Sequence, residues 1–321
     1  MEITTVAVLG GSGFIGRHVC QRLAAEGYRV RVATRDRERA KEQLILLPTV
    51  DLAAVDVHDP AQLAAFVDGA DAVINLVGVL HDGSRERGFQ AAHVELARKV
   101  AAACRERGVP RLLHMSALGA SRDGPSRYLR TKGEAEAVVR ESGLAWTLFR
   151  PSVVFGREDS FLNLFAALLR FAPVLALASP RTRFQPVFVD DVAAAFVKGL
   201  ADLASHGRSY DLCGPHVYTL RELVEYVGRA TGRRRMIIGL GDTMSYCQAL
   251  VMEWLPVKLM TRDNYYSMKV DSVCGCEFPF AIVPTALEAV APSWLGNSTP
   301  RARYRGFRGQ AGRNESVTGD R

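Results

Sequence analysis

The sequence predicts an α/β protein built on an open, doubly wound parallel sheet with a smaller C-terminal α/β lobe. In the first half, short β-branched apolar runs alternate with amphipathic helical segments, the pattern of parallel strands joined by crossover helices. A glycine-rich turn separates the first apolar run from the first helix. With 321 residues, 48% of them hydrophobic, the chain is long enough to bury a sizeable core.

Strands and helices follow each other regularly up to residue 151. The predicted strands are 4–10, 28–34, 71–77, 111–117 and 145–151, with another expected just before Asp56. The predicted helices between them are 17–27, 93–108 and 130–143. We therefore expect a nucleotide-binding domain over residues 1–155, completed by about 184–214.

The pattern loosens after residue 155 and predicts a small C-terminal lobe made of two segments, 156–183 and 215–296. Helical segments are expected at 161–177 and 219–232. The Met-rich stretch 242–260 predicts a packed helix, and the alternative is a surface that faces a partner or a membrane.

Two further stretches carry charge. Asp190 and Asp191 open a predicted helix, where carboxylates commonly cap free N–H groups. Residues 297–321 are basic and lack apolar periodicity, which predicts a flexible tail. The net charge of +7 is partly located there, and we expect no nucleic-acid partner.

The cysteines and the hydropathy of the sequence argue against a metal-binding or membrane-spanning protein. Cys274 and Cys276 are too close for a simple zinc knuckle, so we expect no metal site and free thiols in a reducing compartment. No apolar run reaches the roughly 18 residues of a membrane span, and no targeting leader precedes the first strand. The expectation is a cytoplasmic protein, with peripheral contact at the inner face of the membrane as an alternative.

The glycine-rich turn predicts a dinucleotide site. Gly10, Gly13 and Gly16 follow the first strand and open the first helix, the context in which such a pattern binds a pyrophosphate. Gly10 suits the tight turn, Gly13 lets the backbone approach the phosphates, and Gly16 permits close helix–strand packing. The helix N-terminus supplies N–H groups and partial positive charge. This is the first unit of a Rossmann sheet.

The end of the second strand bears on the choice of nucleotide. Arg35 follows that strand, and Arg17 follows the last glycine of the turn. Two guanidinium groups near the ribose suit the 2′-phosphate of NADP(H), through charge-assisted hydrogen bonds. Asp36, one position later, keeps NAD(H) as the alternative, because a carboxylate there holds the ribose hydroxyls in NAD-specific folds.

Tyr128 and Lys132 stand four residues apart, so on a helix their side chains share one face. Together with the G-x-x-G-x-x-G spacing, this pair resembles the extended or atypical short-chain dehydrogenase/reductase superfamily. The resemblance implies that Tyr128 donates a proton to a carbonyl. It also implies that Lys132 holds the ribose and lowers the Tyr pKa, since a nearby cation favours the phenolate.

The same resemblance implies further site residues. A small hydroxyl residue at the preceding strand end would bind the carbonyl, but here Ala117 fills that position and Ser116 the structural one, which weakens the case for efficient catalysis. The predicted catalytic residues are Tyr128, Lys132 and Ser116. The predicted cofactor-binding residues are Gly10, Ser12, Gly13, Phe14, Ile15, Gly16, Arg17, Arg35, Asp56, Val57, Asn75, Gly78, Lys132, Pro151 and Val153.

A closer resemblance rests on motifs that occur in order, among them HMSALGA, SRYLRTKGEAEAVV, LFRPSVVFG and TRFQPVFVDDVAAAF. As a set they resemble the bacterial relatives of the nucleotide-binding accessory subunit of mitochondrial respiratory complex I. That resemblance implies tight NADPH binding without established turnover, and partners in complex I or quinone biosynthesis. The alternative is an active NAD(P)-dependent reductase, dehydrogenase or epimerase on a quinone-like or small carbonyl substrate.

Overall fold

A computed structural model describes residues 3–44, 46–80, 82, 88–254 and 259–296. Its centre is a parallel sheet of seven strands in the order β11-β6-β5-β4-β1-β2-β3. These strands are β1 (Thr5–Leu9), β2 (Arg29–Thr34), β3 (Val50–Ala54), β4 (Ala72–Asn75), β5 (Arg111–Met115), β6 (Ala145–Pro151) and β11 (Arg208–Leu212). The predicted α/β class and the doubly wound parallel sheet are confirmed.

Helices cover both faces of this sheet. They are α1 (Phe14–Ala25), α2 (Arg37–Leu44), α3 (Pro60–Val67), α4 (Leu96–Glu106), α5 (Arg127–Arg140) and α7 (Val189–Ala201). A π-helical turn, Gln90–Glu95, leads directly into α4. Helix α1 begins three residues before the predicted start because Gly13 is its N-cap.

The core divides into two layers because neighbouring residues of a strand point to opposite faces. Val6 and Val8 of β1 pack with the side chains of α1 and α7 on one face. Ala7 and Leu9 pack with α3, α4 and α5 on the other. Strands buried on both faces appear as continuous apolar runs, which explains why the sequence showed them clearly.

Apart from a 3-10 turn, Leu203–Ser205, which follows α7 on the large sheet, the remaining described elements lie in a smaller lobe. Its helices are α6 (Phe161–Phe171), α8 (Leu220–Ala230), α9 (Asp242–Glu253), α10 (Arg262–Ser267), α11 (Leu287–Val290) and α12 (Pro292–Leu295). Its strands form short pairs: β7 (Val154–Phe155) with β10 (Val187–Phe188), β8 (Val174–Leu177) with β13 (Met236–Gly239), and β9 (Arg183–Phe184) with β12 (Tyr218–Thr219). The predicted tail, 297–321, lies outside the described residues.

Two predictions for this lobe are wrong. The expected helix 161–177 ends at Phe171, and Val174–Leu177 is a strand. Pro173 explains the break, because the residue before a proline is forced into extended geometry, as Ala172 shows with φ −87° and ψ 123°.

The expected capping by Asp190 and Asp191 is also wrong. Phe188 precedes α7 without a side-chain cap. Asp190 instead contacts the His18 ring at 2.5 Å, and Asp191 accepts a hydrogen bond from the Thr285 N–H at 2.6 Å. These carboxylates fasten α7 to α1 and to the small lobe.

Helix α9 forms within the predicted stretch but packs only on its polar and small side, where Ser245 and Ala249 are buried. Its apolar stripe, defined by Met244, Val251 and Trp254, is exposed to 58%, 67% and 86%. The prediction of a packed helix is therefore wrong for this stripe. Among the described helices, none is long and apolar enough to cross a membrane.

Candidate functional site

The glycine-rich turn between β1 and α1 is shaped by its own backbone. Gly10 has φ +80°, a left-handed conformation that glycine adopts without strain, and the Gly13 N–H donates to the Gly10 carbonyl at 3.0 Å. A Cβ on Gly16 would lie 2.2 Å from that same carbonyl oxygen and 2.6 Å from Gly11 Cα. Only glycine fits at position 16, and its absence of a side chain lets the helix press against the turn.

The N-terminus of α1 is open for an anion. Gly13 is its N-cap and has no side chain to satisfy the first N–H groups, and the first turn contains no acidic residue. Unsatisfied N–H groups and the helix dipole together favour a negatively charged ligand. Ser12 is partly exposed beside them, whereas the Phe14 ring packs against Gly156 in the loop after β7.

The two predicted arginines have different surroundings. Arg17 forms an ion pair with Glu158, and its Nε donates to the Gly13 carbonyl at 3.3 Å. Arg35 is exposed at the end of β2. The adjacent Asp36 accepts the Arg39 N–H at 3.0 Å and thereby caps α2. A single guanidinium, that of Arg35, therefore occupies the position where the second strand ends.

The loops after β3 and β4 hold further predicted residues. Asp56 is exposed and accepts the His58 N–H at 2.9 Å, and Val57 is partly buried beside it. Asn75 is only 1% exposed; its Oδ1 accepts the Val77 N–H, and its Nδ2 lies 3.2 Å from His114 Nδ1. The buried Asn75 side chain therefore supports the loop from the protein interior, which leaves the loop backbone to face the predicted nucleotide site.

Lys132 lies directly beneath that loop. Its Nζ donates to the Met115 carbonyl at 3.0 Å, and a Cβ on Gly78 would lie 3.3 Å from Nζ and 3.7 Å from His93 Nε2. The structure thus brings together Gly78 and Lys132, which the sequence singled out, and His93, which it did not. A histidine at a buried helical position between apolar residues was the available signal.

His93 and His114 form the neutral floor of the site. His93 lies 2.9 Å from Thr131 Oγ1 and accepts from the Val79 N–H at 3.3 Å, and both imidazoles are buried. Burial, followed by the charge of Lys132, lowers the pKa of His93 to about 2 and that of His114 to about 3. Neither ring carries charge at neutral pH.

The Tyr128 ring lies edge-on to Phe89 and His93, with centroid separations of 5.8 and 5.6 Å. Desolvation in this aromatic setting raises the pKa of Tyr128 to about 12. The direction is opposite to that expected from a neighbouring Lys132. The phenol is thus firmly protonated at neutral pH.

Burial has the reverse effect on Lys132. The side chain is 4% exposed, and desolvation lowers the pKa of its ammonium to about 8, against a smaller opposing effect of Glu136. Near neutral pH the ammonium is charged but poorly solvated. A ligand that offers hydroxyl or phosphate oxygens would improve its environment.

Ser116 and Ala117 occupy the end of β5. Ser116 is 3% exposed, its N–H donates to the Phe149 carbonyl at 2.7 Å, and its hydroxyl lies close to the Glu136 carboxylate. Burial acts to raise the pKa of Glu136, but hydrogen bonds from Arg150 lower it overall, and the buried Ser116 hydroxyl has no hydrogen-bond partner among the described residues. The hydroxyl predicted to be catalytic therefore faces the interior, and Ala117 has none to donate.

Residues after β6 connect the sheet to the small lobe. Pro151 is buried at the strand end and Val153 is partly buried. Between them, the Ser152 hydroxyl donates to the Ser272 carbonyl at 2.8 Å. A separate cavity of about 460 Å³ opens beside the start of α5, and its lining includes Phe89 and Tyr266.

This geometry can hold a dinucleotide but offers few groups for proton transfer. The turn at Gly10–Gly16 presents N–H groups, and Lys132 presents an ammonium across the loop at Gly78. The phenol of Tyr128 is the single titratable hydroxyl among the predicted catalytic groups, and it lacks a hydroxyl partner at position 117.

Comparisons with known proteins agree with this geometry. Residues 10–160 match the profile of a family described as NAD(P)H-binding. The chain is 38% identical over 228 residues to NADH dehydrogenase (ubiquinone) 1 alpha subcomplex subunit 9, mitochondrial, of Arabidopsis thaliana, covering 68% of this chain and 56% of that protein. The corresponding Mus musculus protein is 34% identical, covering 70% and 61%. The chain thus spans less than two thirds of the length of these relatives.

Two further comparisons point to reductases. The ceramide reductase of Caulobacter vibrioides is 30% identical over 258 residues, covering 78% of each chain. Among solved structures, the NADPH-dependent quinone oxidoreductase of Escherichia coli complexed with NADPH superposes with a TM-score of 0.73 at 19% identity, covering 90% of this chain and 99% of that one. At that identity the superposition shows the fold alone.

The buried ammonium gives a first prediction, on stability. We expect Lys132→Met to raise the free energy of unfolding of the unliganded protein at pH 7 by roughly 1–3 kcal/mol, because a depressed ammonium pKa opposes folding. The unfolded chain binds this proton more tightly, so the penalty is fully present below pH of about 8 and disappears as the pH rises to 10.5.

Urea unfolding of the wild type and variant at pH 7 and pH 10 measures this effect. The gap between them should shrink at the higher pH, whereas Lys41→Met on the exposed face of α2 should show no such trend. A Lys132→Met protein that is less stable than wild type at pH 7 would contradict the assignment.

Proposed function

Because the chain belongs to the NAD(P)H-binding family, we propose that it holds NADP(H) mainly as a structural or sensory ligand. We propose further that it serves respiratory complex I or ubiquinone metabolism, as its relatives named as NADH dehydrogenase subunits suggest. The first proposal rests on the glycine-rich turn. Gly16 allows α1 to approach Gly10 closely, and the N-terminus of α1 has no side-chain cap.

Each part of the nucleotide has a proposed partner. The pyrophosphate binds the N–H groups of the Gly10–Gly16 turn. The nicotinamide ribose binds Lys132 and the backbone at Gly78, and the nicotinamide lies against Pro151 and Val153. The adenine lies beside Asp56 and Val57. The cofactor, when bound, supplies a hydride donor, and these residues position it.

We propose that the nucleotide is retained and not oxidised because of the residues at the end of β5. Ala117 replaces a hydrogen-bond donor whose loss typically lowers rate by about 10²–10³. The Ser116 hydroxyl is buried, and desolvation raises the pKa of Tyr128 to about 12, so no activated acid is ready.

We propose that the protein prefers NADP(H) to NAD(H) because of Arg35. Its exposed guanidinium stands at the end of β2, where the adenine ribose of a Rossmann nucleotide lies. Asp36, the residue that would select NAD(H), already caps α2 through the Arg39 N–H. A 2′-phosphate would therefore lie close to the Arg35 cation. The neighbouring Asp36 carboxylate is already hydrogen-bonded to α2.

An active reductase is the second candidate. It is favoured by the cavity of about 460 Å³ beside Phe89, since that ring also contacts Tyr128, and by relatives named as ceramide reductase and azoreductase. In this alternative Tyr128 would give its proton to a carbonyl or quinone oxygen, and bound NADPH would supply the hydride.

Peripheral contact with a membrane is proposed on the exposed apolar face of the small lobe. The stripe of α9 lies near β8, because Gln248 Nε2 donates to the Ala176 carbonyl at 2.9 Å. On the β8–β13 pair, Val174 and Met236 are paired neighbours and both exposed. Exposed arginines at 170, 234 and 235 lie in the same lobe, which suits anionic headgroups.

The cofactor assignment leads to a prediction on affinity. Arg35→Ala should raise the Kd for NADPH by roughly tenfold or more, the value of a charge-assisted hydrogen bond, and leave that for NADH unchanged. Calorimetric titration of both nucleotides measures it. Arg29→Ala, at the opposite end of β2, is the matched control and should change neither; an unchanged NADPH-to-NADH ratio in Arg35→Ala would refute the assignment.

The structural role leads to a prediction on turnover. When NADPH-loaded protein is mixed in a stopped-flow instrument with quinones and carbonyl compounds, the bound nucleotide should be oxidised no faster than free NADPH. Tyr128→Phe should behave identically. Rapid oxidation in the wild type that Tyr128→Phe abolishes would instead establish the reductase.

The exposed stripe leads to a prediction on membrane binding. Vesicles containing anionic phospholipid should sediment the wild type and shift its tryptophan fluorescence to shorter wavelength, whereas Val251→Ser with Trp254→Ser should bind at least tenfold more weakly. Leu203→Ser, which changes another exposed apolar side chain after α7, is the control. Equal binding by wild type and double variant would exclude this face.

A further inference from the structure

Three thiols meet where β11 ends, on the side of the sheet that faces the small lobe. Cys213 follows β11 directly, and Cys274 and Cys276 lie in the segment 271–286 that crosses that strand end. The Sγ atoms of Cys274 and Cys276 are 2.6 Å apart, and both sulfurs lie close enough to Cys213 to raise its pKa. These three residues form the thiol cluster.

The cluster is held in place by tertiary contacts. The Cys274 N–H donates to Gln185 Oε1 at 3.0 Å, the Ser272 N–H donates to the Arg183 carbonyl at 2.8 Å, and Cys276 Sγ lies 3.7 Å from the Asp211 carbonyl. With the backbone fixed on both sides of Gly275, the two sulfurs stay in contact. A reaction between them is therefore intramolecular and strongly favoured over one with a second molecule.

The cluster is also reachable. Cys276 is exposed, Cys274 is partly buried, and a cavity of about 540 Å³ is lined by Cys213 and Cys276 together with apolar residues of the same segment. By contrast, Cys20 and Cys104 are fully buried in the core. Exposure and contact together separate the cluster from these inert thiols.

Burial and mutual contact oppose negative charge on Cys213 and Cys276. Burial, and then the neighbouring Cys274 sulfur, raise the pKa of Cys276 to about 12, and the same causes raise the pKa of Cys213. Disulfide exchange proceeds through a thiolate, so it begins with the loss of one proton from a thiol. Among the described residues, no group of three His, Cys, Asp or Glu side chains is arranged to hold a metal ion.

We propose that Cys274 and Cys276 are a reversible dithiol–disulfide modification site. The Cys274 thiolate attacks glutathione disulfide, forms a mixed disulfide and releases one glutathione thiolate. The Cys276 sulfur then attacks Cys274, forms the intramolecular bond and releases the second glutathione. The protein loses two electrons and two protons, and the disulfide reagent gains them as two thiols.

The site adds a redox input at the junction of the two lobes. Ser272, two residues before Cys274, bonds Ser152 at the end of β6, so the oxidised segment adjoins the strand end proposed to meet the nicotinamide. An exposed disulfide is open to thiol reductants, as a reversible modification requires.

Mass analysis of the full-length protein tests the site. The reduced protein is equilibrated in glutathione redox buffers, alkylated and digested with trypsin, which places Cys274 and Cys276 together in peptide 270–301 and Cys213 in peptide 209–221. We expect peptide 270–301 to become lighter by two hydrogen atoms and to resist alkylation, and dithiothreitol to reverse both changes.

The remaining cysteines supply the controls. Exposed Cys247 should form only a mixed disulfide, Cys247→Ser should leave the change in peptide 270–301 intact, and Cys276→Ser should trap glutathione on Cys274. The wild-type measurement stands by itself if a variant does not fold. The proposal fails if both cysteines of peptide 270–301 stay alkylatable when Cys247 is glutathionylated. It also fails if that peptide emerges cross-linked to peptide 209–221.

Discussion

The buried ammonium of Lys132 is the interaction on which the site depends. It is enclosed by the loop at Gly78, the neutral rings of His93 and His114 and the Met115 carbonyl, and the side chain is only 4% exposed. Holding a cation there costs free energy, which is why its pKa falls to about 8. Such a position makes physical sense when a polar ligand completes the shell, and a nucleotide ribose has the right chemistry.

Helix α5 is fixed from both ends so that this ammonium stays in place. Glu136, one turn after Lys132, is 1% exposed and accepts hydrogen bonds from Arg150 of β6 at 2.5 and 2.7 Å and from Arg140 at 2.6 Å. A buried carboxylate tolerates burial only when it is paired in this way. At the other end, Asp263 of the small lobe accepts the N–H groups of Arg127 and Tyr128, so the two lobes share one helix start.

The chemistry around α5 favours holding a ligand over transforming it. Burial moves the pKa of Tyr128 upward and that of Lys132 downward, so the phenol holds its proton more tightly than the ammonium does. General acid catalysis is most efficient when the pKa of the acid lies near the operating pH, and that of Tyr128 lies far above neutrality. The reactive side chains are instead the thiols near Cys213, which lie at the end of the edge strand β11, apart from the nucleotide turn after β1.

The sequence by itself determined the parallel sheet, the glycine turn and the pairing of Tyr128 with Lys132, because strand alternation, glycine conformation and helical spacing are local properties. The tertiary structure alone decided what each side chain meets: Asp190 meets His18 instead of capping a helix, Arg17 turns to Glu158, and His93 joins Lys132. Partners and pKa values depend on desolvation and on contacts between residues far apart in the chain. No local pattern encodes those distances, whereas folding fixes them.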